Sequence, residues 1–383
     1  MKKNNIKYIK QTAAVLCAAV LMCGCSAPTA DQGSGATAVN ETSVSDTTDE
    51  ADPDSQGNDA SDPSGSITAD EQESLSSELY AMDTVMSLTA YGAHAKEALE
   101  AAETEISRLD KLLSISSESS DIYQVNQNGS GELSEDTREL LASALEYFKE
   151  TDGAFDCTIE PIMEAWGFTT HDYRVPDSSE LSGLLPLVDA SAVSLNGDQV
   201  NLPSGVRLDL GGIAKGFTSS RVMDIFAQNG VTSGIISLGG NVQTLGRKPD
   251  GSLWRVGIQD PGDLNSMFAV VKVADEAVIT SGAYQRYFEQ DEVRYHHIID
   301  PRTGYPADSG LTSVTIISPD GTLADALSTS LFIMGPEKAA AFWQQHKDKF
   351  DAIMMTDDGT VLVTSGLADR CQITSSGKVE VVS

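Results

Sequence analysis

The sequence predicts an α+β fold in which antiparallel sheets carry a few long helices. Three observations predict it. Short apolar blocks such as "SGIISL", "FAVVKV" and "LTSVTIIS" recur with turn residues between them. Helical spacing of apolar residues interrupts those blocks only a few times, as in "AKEALEAAETEISRLDKLL". The regular strand–helix alternation of a doubly wound protein is missing.

The elements follow in order. Leu79 to Gly92, "LYAMDTVMSLTAYG", alternates apolar and polar residues like a strand. The stretch from Ala95 reads as a long helix. A second helix opens at Ser134, with Glu135 and Asp136 in its first turn, and stops near Gly153. "AVSLNGDQVNLPSGVRLDLGG" reads as a hairpin around Asn196-Gly197 and then another strand. "GFTSSRVMDIFAQNG" is a helix ended by Gly230. Five strand-like blocks follow, the last but one being "YHHIIDPRTG". "LADALSTSLFIMGPEKAAAFWQQH" gives one or two helices, and "AIMMTDDGTVLVTSG" a closing hairpin.

The N-terminal part has another character. Lys2, Lys3 and Lys10 surround the start of an apolar run, Ala13 to Met22, of signal-peptide length. It ends in "LMCGCSAP", where Cys25 resembles the lipidated cysteine of a bacterial lipobox. The expectation is a lipoprotein signal over residues 1–24 and an exported protein anchored at the membrane by lipid on Cys25. Residues 25–78 are rich in Ser, Thr, Asp, Gly and Ala. No Lys or Arg occurs between Lys10 and Lys96. Such a composition buries too little apolar surface to offset its ordering entropy, so an acidic disordered tether is expected there. Residues 79–383 have ordinary apolar content and form the expected catalytic part. The formal net charge of -32 argues against a nucleic-acid partner. Cys157 and Cys371 make no disulfide framework, although one bridge between them is possible.

Three stretches carry candidate chemistry. "RLDLGGIAKGF" places Gly211 and Gly212 before a helix expected to begin near Ala214, with Lys215 adding charge. It is neither a P-loop nor a dinucleotide fingerprint. Its backbone N–H groups suit a phosphate, its carbonyls suit a metal, and a plain strand-to-helix turn fits equally well. In "DALSTSLFIMG", Asp325, Ser328 and Thr329 share one helix face, while Leu327, Leu331 and Met334 bury another. A carboxylate with two hydroxyls is hard-oxygen ligation, suited to Mg²⁺ or Ca²⁺. From spacing alone, N-capping by Asp325 is the plainer reading. In "YHHIIDPRTGYP", a strand would put His296 and His297 on opposite faces. Phe155, Trp166 and Phe168 read as core.

The order of "MDT", "GAFDCT", "LDLGGIAKG", "SLGGNV", "WRVGIQDP", "ITSGAYQRYF", "YHHIIDPRTGYP" and "DALSTSLFIMG" resembles that of the ApbE family of FAD:protein FMN transferases. The resemblance spans about Tyr80 to Gly366. It implies an α+β fold related to the tunnel fold. It also implies FMN transfer from FAD to a Ser or Thr hydroxyl of an exported acceptor protein, with Mg²⁺ as cofactor and release of AMP. By the same resemblance, Ala214 (through its carbonyl), Asp325, Thr329 and Ser328 match metal ligands. Met82, Ser116, Ala154, Phe155, Asp156, Asp209, Lys215, His297 and Ile298 match FAD-contacting positions. Asp325 and His297 would serve the reaction itself, His297 near the transferred phosphoryl group. Ser116 stands where the family often has Tyr, and Cys157 where it often has Pro. The acceptor would be a flavin-carrying subunit of a membrane redox pump or an extracellular electron-transfer protein. The alternatives are an FAD pyrophosphatase giving FMN and AMP, and a non-catalytic flavin-binding lipoprotein.

Overall fold

The computed structural model describes residues 73–383. The expected signal peptide, Cys25 and the tether through residue 72 lie outside the described residues. The described part begins with strand β1 (Ser74–Ala81), so Ser74 to Glu78, expected in the tether, belong to a sheet.

β1 pairs antiparallel with β2 (Thr84–Tyr91), Ala81 facing Thr84. The expected single strand from Leu79 to Gly92 is therefore a hairpin. Its tip holds Met82 at φ 48° and Asp83 at φ 60°. Two consecutive left-handed residues match the twist of a tight hairpin, and Asn-Gly or Asp-Gly usually supplies them. Here tertiary contacts hold them, because the Met82 N–H donates to Asp110 Oδ1 at 2.8 Å.

Nine strands form the main sheet. It runs from β1 and β2 through β6 (Gly234–Leu238), β7 (Asn241–Leu245), β10 (Ala277–Gly282), β13 (Leu311–Ser318), β14 (Asp351–Thr356) and β15 (Val361–Thr364) to β17 (Val379–Val382). All neighbours are antiparallel except the last pair. Smaller sheets are built from β3 (Ser130–Glu132), β4 (Ser194–Asn196) and β5 (Gln199–Asn201), from β8 (Trp254–Asp260), β9 (Asp263–Val273) and β16 (Cys371–Ile373), and from β11 (Tyr287–Gln290) and β12 (Val293–His296). The α+β expectation with antiparallel sheets holds.

The α-helices among the described residues are α1 (Ala95–Leu113), α2 (Asp121–Asn128), α3 (Glu135–Glu150), α4 (Glu160–Trp166), α5 (Ser178–Leu184), α6 (Gly211–Gln228), α7 (Gly321–Met334) and α8 (Pro336–His346), of which α2, α4 and α5 are short. Leu99, Ala102 and Ile106 of α1 meet Val222 and Phe226 of α6 and Met86 and Leu88 of β2 in one buried cluster. Leu327 and Leu331 of α7 enter the main core, as their spacing predicts. Trp166 and Phe168 are fully buried in a separate aromatic cluster with Phe288.

Three local expectations change. The segment before α6 makes only an isolated bridge, Ile159 to Arg207, and no strand. Helix α6 begins at Gly211 instead of near Ala214, so the paired glycines form its first turn. "YHHIIDPRTG" is strand only to His296. Cys157 and Cys371 are both free, so the possible bridge is not made.

Candidate active site

Helices α6 and α7 touch backbone to backbone. A Cβ on Gly216 would lie 2.1 Å from the carbonyl oxygen of Gly321 and 2.6 Å from Cβ of Asp325. A Cβ on Gly321 would in turn lie 2.8 Å from the Gly216 carbonyl. Glycine at both positions is what allows this approach. The approach carries Asp325 to the first turns of α6, where the Gly216 N–H donates to Oδ2 at 2.8 Å. Asn241 Nδ2 donates to Oδ1 at 2.9 Å. Asp325 does not cap α7; Asp320 does, accepting from the Leu323 N–H.

Asp325 is 4% exposed. Burying a carboxylate is costly unless its charge is compensated. Its hydrogen-bond partners among the described residues are the two neutral donors, so a cation fits beside it. Thr329 follows one turn later on the same face, and Ala214 lies one turn into α6. The Ala214 carbonyl already accepts the Thr218 hydroxyl at 2.8 Å, a contact a cation would share or displace. Among the described residues no three His, Cys, Asp or Glu side chains gather as a metal group. A cation held here would have carbonyl and hydroxyl oxygens with a single carboxylate, which is a donor set for a hard ion such as Mg²⁺. Ser328 is fully buried and its hydroxyl donates to the Asp325 carbonyl at 2.9 Å.

A second group of side chains is charged. The Asp209 carboxylate accepts the Gly211 N–H at 2.7 Å. Burial raises its pKa, while that hydrogen bond and the charges of Arg286 and Lys215 oppose the rise. His297 donates from both its backbone N–H and Nδ1 to the Arg286 carbonyl, each at 3.1 Å. With the proton on Nδ1, Nε2 keeps its lone pair. Burial, with the positive charge of Arg286 next in size, pushes the imidazole down to about 3, and Lys215 adds to this. The charges of Arg286 and Lys215 thus reach both Asp209 and His297. The Arg286 guanidinium also bonds the Phe168 carbonyl and sits 3.9 Å from Asp83. Nearby Glu160 is buried, and desolvation first and Asp209 second push it up to about 8.

The remaining expected residues divide. Met82, at the hairpin tip, has its sulfur 3.7 Å from the Thr218 hydroxyl, which brings it to α6. Phe155 is buried, and its ring lies 3.4 Å from where a Cβ of Gly212 would be. Ala154 is buried beside it. The Asp156 carboxylate turns inward, to the Thr158 N–H and hydroxyl and the Ala190 N–H. Burial raises its pKa. That carboxylate therefore braces the turn. Ile298 is buried behind His297. His296 bonds the Ala307 carbonyl and meets the Phe332 ring edge-on, a structural role. Ser116 is exposed and bonds only to Ser114 among the described residues.

Sequence reasoning missed Arg286, Asn241, Glu160 and Ser281 as members of this neighbourhood. Asn241 and Ser281 stand within stretches already singled out, "SLGGNV" and "ITSGAY". Arg286 lies within the same singled-out stretch, "ITSGAYQRYF", but its partners Asp83 and Phe168 come from distant segments and His297 from across the β11–β12 hairpin, so its role had no local signal.

An antiparallel α+β scaffold that buries the Asp325 carboxylate against the start of a helix carrying Lys215 has the features of an enzyme site for a charged ligand. Comparison with known proteins narrows this. The ApbE family model matches residues 82–354. The FAD:protein FMN transferase of Klebsiella pneumoniae (strain 342) is 35% identical over 267 residues, covering 68% of this chain and 82% of that protein. The enzyme of the same name from Treponema pallidum (strain Nichols) is 36% identical over 296 residues, covering 72% and 82%. Among solved structures, the ApbE protein of Thermotoga maritima matches with TM-score 0.74 at 31% identity, covering 77% of this chain and 98% of that one. The apo flavinyl transferase ApbE of Pseudomonas stutzeri matches with TM-score 0.68 at 31% identity, covering 75% and 92%. The chain belongs to the ApbE family. It is an enzyme, a flavin transferase.

Proposed function

We propose that the protein transfers FMN from FAD to a Ser or Thr hydroxyl of an exported acceptor protein, with Mg²⁺ as the cation and AMP as the leaving group. The observation that carries this is the burial of Asp325 against α6 with only neutral partners among the described residues. In the transfer, the acceptor oxygen bonds to the FMN phosphorus, the bond from that phosphorus to the AMP oxygen breaks, and the acceptor's proton is released to solvent as AMP departs. Bound Mg²⁺ would neutralise charge on the pyrophosphate as the bond breaks. Asp325, Thr329 and the Ala214 carbonyl would hold it. Lys215 and Arg286 supply positive charge for the phosphates, and Phe155 with Met82 supplies apolar surface for the flavin. His297 offers a neutral Nε2 that can accept a hydrogen bond from the acceptor hydroxyl. Burial and the charge of Arg286 hold the imidazole neutral, and the Nδ1 contact with the Arg286 carbonyl fixes the ring, so the proposed part of His297 is to orient the acceptor hydroxyl.

The proposal extends to location. Export with lipid on Cys25 would place the site where exported flavoproteins, such as redox-pump or extracellular electron-transfer subunits, can reach it. Among the described residues no helix is long and apolar enough to cross a membrane. The test is to incubate the protein with FAD, Mg²⁺ and a peptide carrying Ser-Gly-Ala-Thr, then weigh the peptide and assay AMP. A peptide gaining the mass of FMN supports the reading. Free FMN and AMP with an unchanged peptide would instead show a pyrophosphatase, and flavin binding with no products a carrier.

A further inference from the structure

Strand β10 ends against α7, and there three hydroxyls meet. Ser281 Oγ lies 2.8 Å from Ser328 Oγ and 3.2 Å from Thr329 Oγ1. Each hydroxyl has one proton, so the directions can be counted. Ser328 donates its proton to the Asp325 carbonyl, which can only accept. The Ser281–Ser328 contact then uses the proton of Ser281. With that proton committed, Ser281 can only accept from Thr329. The Thr329 proton is therefore drawn toward β10, and the Thr329 lone pairs are left to point elsewhere. The chain of donors runs from Thr329 to Ser281 to Ser328 to the backbone of Asp325, and its last donor is fully buried.

We propose that Ser281 is a positioning residue for cation binding: by taking up the Thr329 proton it turns a Thr329 lone pair toward the cation. The proposal rests on the cation reading above. It also separates two hydroxyls that share a helix face. Thr329 is a ligand, while Ser328 is the buried end of the relay and fixes its direction. Ser281 belongs to β10 and Thr329 to α7, so the pairing also ties the ligand to the main sheet.

The test measures Mn²⁺ binding to the otherwise unmodified protein without FAD, by the loss of the free-ion electron paramagnetic resonance signal. Ser281→Ala should weaken Mn²⁺ by on the order of tenfold, the usual cost of removing a group that orients a ligand. Ser281→Ala combined with Thr329→Ala should bind no more weakly than Thr329→Ala alone, because Ser281 acts through Thr329. Ser328→Ala removes the relay from its other end and should weaken Mn²⁺ in the same direction, which keeps the test usable if Ser281→Ala fails to fold. Asp325→Asn separates the two readings. If Asp325→Asn abolishes binding but Ser281→Ala binds like the parent, or the two hydroxyl variants add, the positioning role is overturned. If Asp325→Asn also leaves binding intact, the cation reading itself falls.

Discussion

The Gly216 N–H donates to Asp325 Oδ2 at 2.8 Å across 109 positions of sequence. The bond exists because two helices cross where neither has a side chain to keep them apart. Gly216 lacks the Cβ that would meet Gly321, and Gly321 lacks the one that would meet Gly216. This crossing sets a buried carboxylate beside the first turns of α6, which no single motif could arrange.

Asp325→Asn removes the charge while keeping the shape. FMN transfer is expected to fall by on the order of 10²-fold or more, since cation stabilisation of a phosphoryl transition state is worth several kcal/mol. The thermal midpoint should change little, because removal of an uncompensated buried charge offsets the loss of one of the two hydrogen bonds that the carboxylate accepts. Transfer within a few-fold of the parent at saturating Mg²⁺ would contradict the assignment.

Gly216→Ala puts a methyl group against rigid backbone. Overpacking of this kind costs about 1–3 kcal/mol. The contact of 2.1 Å is with a carbonyl oxygen, not a flexible chain end, so the upper part of that range is expected. Chemical denaturation checks it. An unchanged midpoint would mean that the helices can separate freely.

Glu160 gives a pH signature. Its folded pKa, about 8, lies above its ordinary value, so the folded state holds the proton more tightly. The sign follows from linkage: the stabilising contribution is complete below the unfolded pKa and is lost as pH rises through about 8. Glu160→Gln stays neutral throughout. The difference in melting temperature between variant and parent should therefore widen in favour of the variant as pH climbs from 5 to 9. A constant difference would show that Glu160 is ordinary.

Self-flavinylation is not expected, although "TSGAY" partly resembles an acceptor in which Thr follows Ser-Gly-Ala. Tyr284 holds the Thr position and is 7% exposed, and Ser281 lies in a paired strand with its hydroxyl engaged. Intact mass after incubation with FAD and Mg²⁺, under denaturing conditions, should show no added FMN. An adduct would contradict this, and one that appeared only in Tyr284→Thr would show that the phenol alone blocks it.

Cys25→Ser should move the protein from membranes into the soluble fraction while leaving purified activity intact. Persistent membrane association of the variant would rule out the lipid anchor.

Local periodicity was enough for most elements, because apolar spacing in α1, α3, α7 and the strand blocks reports which faces must bury. The order of short motifs was enough for the family, and the i, i+4 spacing of Asp325 and Thr329 showed that their oxygens share one face of α7, although from spacing alone N-capping by Asp325 was the plainer reading. The paired glycines, the question mark of the sequence, were legible as special but not as to why. Neither Gly211 nor Gly212 has a positive φ; they open α6, with Gly212 against Phe155. The Met82–Asp83 turn was hidden for a related reason, since its conformation is imposed by Asp110 rather than favoured by its own residues. What only the tertiary structure decided is whatever depends on close approach between remote segments: the crossing at Gly216 and Gly321, the carbonyl of Arg286 that fixes the His297 tautomer, and the three hydroxyls that share their protons between β10 and α7. A sequence records which groups can donate and accept, and at what local spacing. The folded chain decides which of them lie within 3 Å of each other, and hydrogen bonds and ligand geometry act only at that range.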